Sequence, residues 1–292
     1  MKNLVILGCE NTHAFDMMNV LEKENLREEY NVIGAYSTEE RMVNGMNERF
    51  GVPIMKSFDE AAGKVDGVII TARHGDNHYK YAAPYIASGV PMFIDKPITA
   101  DADEAVKFME ELKANGVKVS GGSVIPHQPE VQELKNLILS GEKGAVKGGN
   151  FLYPWDNDER YGGFWFYTQH LVQTMLEIFG PDVASVTAQH SGTTLSFTAA
   201  YPDFAVTGSF LQKNPEYYSE VYFEKERVSK LHVITAESFY GDTKRELFRY
   251  LEILNGGEMK QSYEDFFRPV FVLDAIKEAY ETGKEIKVVY PE

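Results

Sequence analysis

The chain has 292 residues, 43% hydrophobic and 25% charged, with 29 Lys and Arg against 44 Asp and Glu, for a net charge of −15. That is an ordinary globular composition, long enough for one large domain or two. The acidic balance argues against nucleic acid or an anionic membrane as partner, since both need a basic face. No apolar run approaches the roughly 20 residues of a bilayer span. Cys9 is the only cysteine, which excludes an internal disulfide or a cysteine-based metal site. Lys2 is followed by a short strand-like run without a signal peptide's longer apolar core, so a reduced, cytoplasmic protein is expected.

In chain order, apolar and β-branched runs at 4–7, 32–35, 68–70, 92–94 and 117–119 predict strands. Helical patterns at 14–23, 39–50, 77–87 and 103–114 lie between them. Strands apolar throughout and separated by helices indicate a parallel sheet covered on both faces. Right-handed crossovers then produce a doubly wound α/β fold that places ligands at the carboxyl ends of the strands.

Beyond about residue 122 the pattern changes. Helices are predicted over 128–139 and 166–179, and strands over 184–190, 193–200, 204–211, 217–224 and 229–235. Several of these strands alternate, as in "TLSFTAAY" and "EVYFEKE", which fits a mostly antiparallel sheet with one covered face. Helices over 243–254 and 263–282 and a strand over 286–289 close the chain. The expected organisation is a Rossmann-type dinucleotide-binding domain over 1–122 and an α+β domain over 123–292, for substrate binding and oligomerisation.

The first strand runs into "GCENTHA", where a dinucleotide-binding protein carries G-x-G-x-x-G. Gly8 keeps the tight-turn position, while Glu10 and His13 occupy the second and third glycine positions. Asn11 and Thr12 are candidate caps for the following helix. A Glu10 carboxylate aimed at a pyrophosphate would repel it; one aimed elsewhere would not.

The segments "VDGVIIT", "SGVPMFIDKP", "HQPEVQELKNLILSGEKGAVKGGNF", "GGFWFYTQHLVQTMLEIFG" and "AIKEAYETGKEIKV" follow one another in an order and spacing that resembles the glucose–fructose oxidoreductase, inositol dehydrogenase and MocA-like family, Gfo/Idh/MocA. The resemblance covers nearly the whole chain. It implies an NAD(P)-dependent oxidoreductase acting on a hydroxyl-bearing carbon of a sugar, inositol or related polyol. The family's E-K-P segment is Asp95-Lys96-Pro97 here, which implies that Lys96 serves in acid–base catalysis beside the nicotinamide. The family's helix histidine matches His170, a second acid–base candidate, whereas the aspartate four residues earlier is Phe166. The implied dinucleotide cleft is lined by Gly8, Glu10, Asn11, Thr12, Ser37, Thr38, Thr71, Arg73, His78 and Asp95.

The end of the second strand reads "AYSTEER", without the acid that holds the adenosine ribose. Glu39 and Glu40 oppose a 2′-phosphate and Arg41 favours one, which tips the balance slightly to NAD over NADP. His74, Asp76 and His78 invite a metal reading, but they lie on a strand-to-helix turn, and no metal site is expected. Two classes therefore stand: a dehydrogenase that forms a homodimer or homotetramer through its C-terminal sheet, and a non-redox binding or regulatory protein that has lost the cofactor.

Overall fold

The computed structural model describes residues 1–156, 162–214 and 216–291. The chain divides into two units, the first made of 1–122 with 236–263 and the second of 123–235 with 264–292.

The first unit holds β1 (Lys2–Leu7), α1 (His13–Lys23), β2 (Tyr30–Tyr36), α2 (Glu40–Phe50), β3 (Gly67–Ile70), α3 (Asp76–Ile86), β4 (Met92–Asp95), α4 (Ala102–Ala114) and β5 (Val119–Gly122). The strands form one parallel sheet in the order β2-β1-β3-β4-β5. Strand order reverses at β1 and β3, the switch point at which open α/β sheets bind ligands. Alternate β1 residues Leu4 and Ile6 enter one core cluster with Met17, Leu21, Val43 and Met46 of α1 and α2. Local signals set the helix ends: Asp101 accepts from the Glu104 N–H at the start of α4, and Gly51 ends α2 at φ +67°. Val117 precedes β5 instead of opening it, because the strand pairs with β4 through Val119 to Gly122.

The second unit follows with α5 (Pro129–Ser140), β6 (Val146–Trp155), α6 (Phe164–Phe179), β7 (Ser185–Ser191), β8 (Thr194–Ala200), β9 (Ala205–Gln212), β10 (Tyr217–Phe223) and β11 (Arg227–His232). The chain then returns to the first unit with α7 (Ala236–Leu254), before α8 (Tyr263–Thr282) and β12 (Ile286–Lys287). The seven strands order as β11-β10-β6-β9-β8-β7-β12, antiparallel except for β6 with β9. Burial alternates strictly along β8 and β10, so Leu195, Phe197, Val221 and Phe223 face the core. Ser196, Thr198, Tyr218 and Tyr222 lie on the half-exposed face.

A boundary at 122 with everything after it in the second unit needs correction. Residues 236–263 belong to the first unit, because Leu247, Tyr250, Leu251 and Leu254 of α7 complete the cluster around Leu4 and Ile6. Tyr250 also donates to the Pro91 carbonyl, 3.3 Å away.

Candidate active site

The sheet brings the predicted residues of the first unit to the carboxyl ends of four strands. Gly8 follows β1, Ser37 follows β2, Thr71 to Arg73 follow β3, and Asp95 ends β4 with Lys96 next. Gly8 has φ +80°, and a Cβ there would sit 2.5 Å from Ala72 Cα. Both the backbone conformation and the close approach require glycine. Neither Glu10 nor His13 has a positive φ. The other two glycine positions are therefore free of any backbone demand and can carry side chains.

The Glu10 carboxylate is only 5% exposed and turns into the edge of the sheet. Ser37 Oγ donates to its Oε2 at 2.8 Å, and the Arg73 N–H donates to Oε1 at 3.4 Å. The acid thus lies between the ends of β2 and β3. Thr12, at the start of α1, is exposed and makes no side-chain cap bond. Capping by Asn11 reduces to a long 3.4 Å contact from the His13 N–H to Asn11 Oδ1.

The Asn11 amide is engaged elsewhere. Its Nδ2 donates to Asp95 Oδ2 at 2.9 Å, and His13 Nδ1 meets the same oxygen at 2.8 Å. Burial raises the Asp95 pKa, but the neighbouring His13 and Lys96 charges outweigh it and hold the carboxyl below its usual value. Lys96 is 2% exposed. Burial drives its pKa down from 10.5 to about 8, with Asp95 opposing the drop and Arg73 adding to it. The structure brings an acid, a histidine and a depressed lysine together at the β4 end. The His13 contribution carries no sequence motif, since the bond spans 82 positions.

Other predicted residues play supporting parts. Thr71 is fully buried, and its hydroxyl donates to the Gly8 carbonyl at 3.0 Å, holding the turn. His78 is fully buried with Nε2 2.8 Å from the Ala72 carbonyl, so it braces the β3–α3 turn and offers no surface to a ligand. That corrects its place among the cofactor contacts. The Arg73 guanidinium pairs with Glu39 at 3.5 Å, and Thr38 is exposed beside it. Among the described residues no cluster of His, Cys, Asp and Glu is arranged to hold a metal.

In the second unit His170 lies on α6, 7% exposed, with its Nδ1 2.6 Å from Ser123 Oγ. The Ser123 hydroxyl also accepts the Ile125 N–H at 3.2 Å, so its free direction for the O–H is toward the ring. Tyr167 and Tyr217 flank the imidazole at 6.1 and 6.2 Å between centroids. Phe166 is buried and packs edge-on against Tyr167. Ser123 escapes a sequence reading; its only signal is a hydroxyl placed directly after a strand end. His232 is buried with Nε2 3.1 Å from Ser219 Oγ and its pKa lowered by burial to about 4.

A parallel sheet with this strand order and a glycine-turned β1–α1 loop defines the class of doubly wound, Rossmann-type α/β folds. Residues 2–123 match the oxidoreductase family GFO_IDH_MocA, NAD-binding Rossmann fold. An inositol 2-dehydrogenase of Corynebacterium glutamicum is 33% identical over 87 residues, 30% of this chain. The match spans about a quarter (26%) of that relative's length. The scyllo-inositol dehydrogenase of Lactobacillus casei, solved with NAD(H) and scyllo-inositol, superposes with a TM-score of 0.84 at 15% identity, covering 99% of each chain. A myo-inositol dehydrogenase of C. glutamicum superposes at 0.82 and 15% identity, covering 100% of each. At that identity the likeness is one of fold, and it extends over both units.

Proposed function

We propose that the chain is an NAD(P)-dependent oxidoreductase that moves a hydride to or from the hydroxyl-bearing carbon of a sugar, polyol or related small molecule. The observation that carries this reading is Lys96, a lysine buried at a strand's carboxyl end with its pKa lowered to about 8. A base of that strength exchanges a proton with a substrate hydroxyl near neutral pH. The inositol dehydrogenases to which the chain is similar support a polyol as the substrate class.

The residues present fit a dinucleotide. Gly8 makes the tight β1–α1 turn at φ +80°, α1 starts at exposed Thr12 with no side-chain cap bond from that residue, and the Glu10 carboxylate is turned toward Ser37. When bound, the nicotinamide supplies the hydride acceptor or donor. Neutral Lys96 takes the proton leaving the substrate oxygen, and its ammonium form returns one in the reverse direction. Asp95 stabilises that ammonium. His170 is the second acid–base residue; Ser123 holds its Nδ1, and Nε2 is the ring atom that this bond does not use. NAD is favoured because Glu39, just after the end of β2, pairs with Arg73 at 3.5 Å and opposes a 2′-phosphate. The half-exposed sheet face carrying Tyr218 and Tyr222 supports a homodimer or homotetramer through the second unit. Among the described residues no helix is long and apolar enough to cross a membrane, in keeping with a cytoplasmic protein.

The test is Lys96→Met. Proton transfer by a placed side chain contributes roughly 10²–10⁴-fold, so turnover on an accepted polyol should fall by about that factor while NAD affinity stays nearly intact. Unchanged turnover would end the assignment. Absence of NAD(H) and NADP(H) binding at millimolar concentration would favour the non-redox class instead.

A further inference from the structure

We infer that Glu10 is the residue that receives the adenosine ribose hydroxyls and thereby selects NAD over NADP. The inference rests on the cofactor reading above and adds a residue to it. A Rossmann domain ordinarily holds those hydroxyls with an acid at the end of β2. Here that end carries Ser37, a neutral side chain, and the exposed Thr38. The acid arrives from the other side. Glu10, in the second glycine position of the β1 turn, extends its carboxylate to Ser37 and fixes it there at 2.8 Å. The carboxyl group thus occupies the edge of β2 that an acid on β2 would occupy, reached from the neighbouring strand.

Three observations support a binding role over a packing one. The backbone at residue 10 has no positive φ, so the turn tolerates a side chain without strain. The carboxylate is held by two donors, Ser37 Oγ and the Arg73 N–H, the latter at 3.4 Å. An ionised carboxylate has about four lone-pair sites, so about two remain for the paired 2′- and 3′-hydroxyls of a ribose. Burying a carboxylate is costly unless its acceptor sites are filled, and a vicinal diol supplies two donors at suitable spacing. The surrounding charge agrees. Glu39 occupies the Arg73 guanidinium at 3.5 Å, so a 2′-phosphate would face two carboxylates across a cation already paired.

The experiment is calorimetric titration of the purified full chain with NAD⁺ and with NADP⁺, for wild type, Glu10→Gln, Glu10→Gly and the double variant Glu10→Gly/Ser37→Asp. Wild type should prefer NAD⁺. Glu10→Gln keeps the shape and the Ser37 contact but loses the charge; it should weaken NAD⁺ by about 10- to 100-fold, the range for hydrogen bonds to a charged group, and narrow the preference over NADP⁺. The double variant restores the glycine turn and moves the acid to β2, so it should recover the NAD⁺ preference that Glu10→Gly alone loses. Equal discrimination by wild type and Glu10→Gln overturns the inference. So does tighter binding of both dinucleotides by Glu10→Gly, which would make Glu10 an obstacle. If wild type and all variants bind neither dinucleotide, the cofactor reading itself fails, and this inference with it.

Discussion

His13 Nδ1 lies 2.8 Å from Asp95 Oδ2, a bond that ties the first residue of α1 to the last residue of β4. It converts the third glycine position from a packing concession into an anchor. The same carboxylate oxygen accepts from Asn11, so the β1–α1 loop is fastened at two points to the strand that presents Lys96.

Asp95→Asn should therefore loosen the loop. The Asp95 pKa is held below its ordinary 3.8 in the folded chain, so its stabilising contribution is present above the unfolded value and lost as pH falls through the folded one. The variant should be less stable at pH 7 by about 2 kcal/mol, and the difference should shrink below about pH 4. Because Asp95 raises the Lys96 pKa, the lysine limb of the pH–rate profile should also move to lower pH. Urea unfolding across pH and a turnover profile check both; an unmoved limb would contradict the coupling.

Lys96 carries the opposite sign. Its pKa falls from 10.5 to about 8 on folding, so between those values the unfolded chain holds a proton that the folded one has released. Stability rises with pH across that window, and the cost is complete below pH 8. Lys96→Met should be more stable than wild type at pH 7 by up to about 3 kcal/mol, with the advantage fading as pH approaches 10.5. A variant less stable than wild type at pH 7 would show that the interactions of Lys96 in the folded chain, Asp95 among them, outweigh the cost of its burial.

Gly8→Ala tests the turn. At φ +80° a methyl group would press against Ala72 backbone atoms, which cannot move aside as a flexible side chain does. A loss of about 2–4 kcal/mol is expected, measurable by thermal or urea unfolding of the cofactor-free chain. A near-neutral effect would mean that the β1 and β3 ends sit farther apart than described.

Ser123→Ala removes the 2.6 Å partner of His170 Nδ1 without touching α6. The expected result is a mixed ring tautomer, read by long-range proton–nitrogen NMR of the imidazole, with turnover falling more than KM changes. Retention of a single tautomer would assign the orientation of the ring to Tyr167 and Tyr217 instead.

Phe166 stands where the resemblance to Gfo/Idh/MocA implies an aspartate, and its ring is packed against Tyr167. A substrate less hydroxylated than inositol, or held differently, is expected from a polyol and sugar screen. Myo-inositol as the best substrate would contradict this.

Much of the first unit was legible because its strands are short, apolar and separated by amphipathic helices: period and composition bias local dihedral angles, and local order then dictates a parallel sheet. Alternation along β8 and β10 likewise announced a sheet with one buried face. Lys96 and His170 were legible as residue types at positions in a familiar order of segments. What the amino-acid order could not settle is where side chains point once distant segments meet. Whether Glu10 faced solvent, a pyrophosphate or the sheet edge depended on Ser37, 27 positions away, and on a turn whose φ only Gly8 constrains. The pairing of His13 with Asp95 spans 82 positions and that of Ser123 with His170 spans 47, separations that leave no periodic trace. The return of α7 to the first unit was hidden for the same reason: its apolar stripe declares that a face must be buried, and only packing decides that Leu4 and Ile6 bury it.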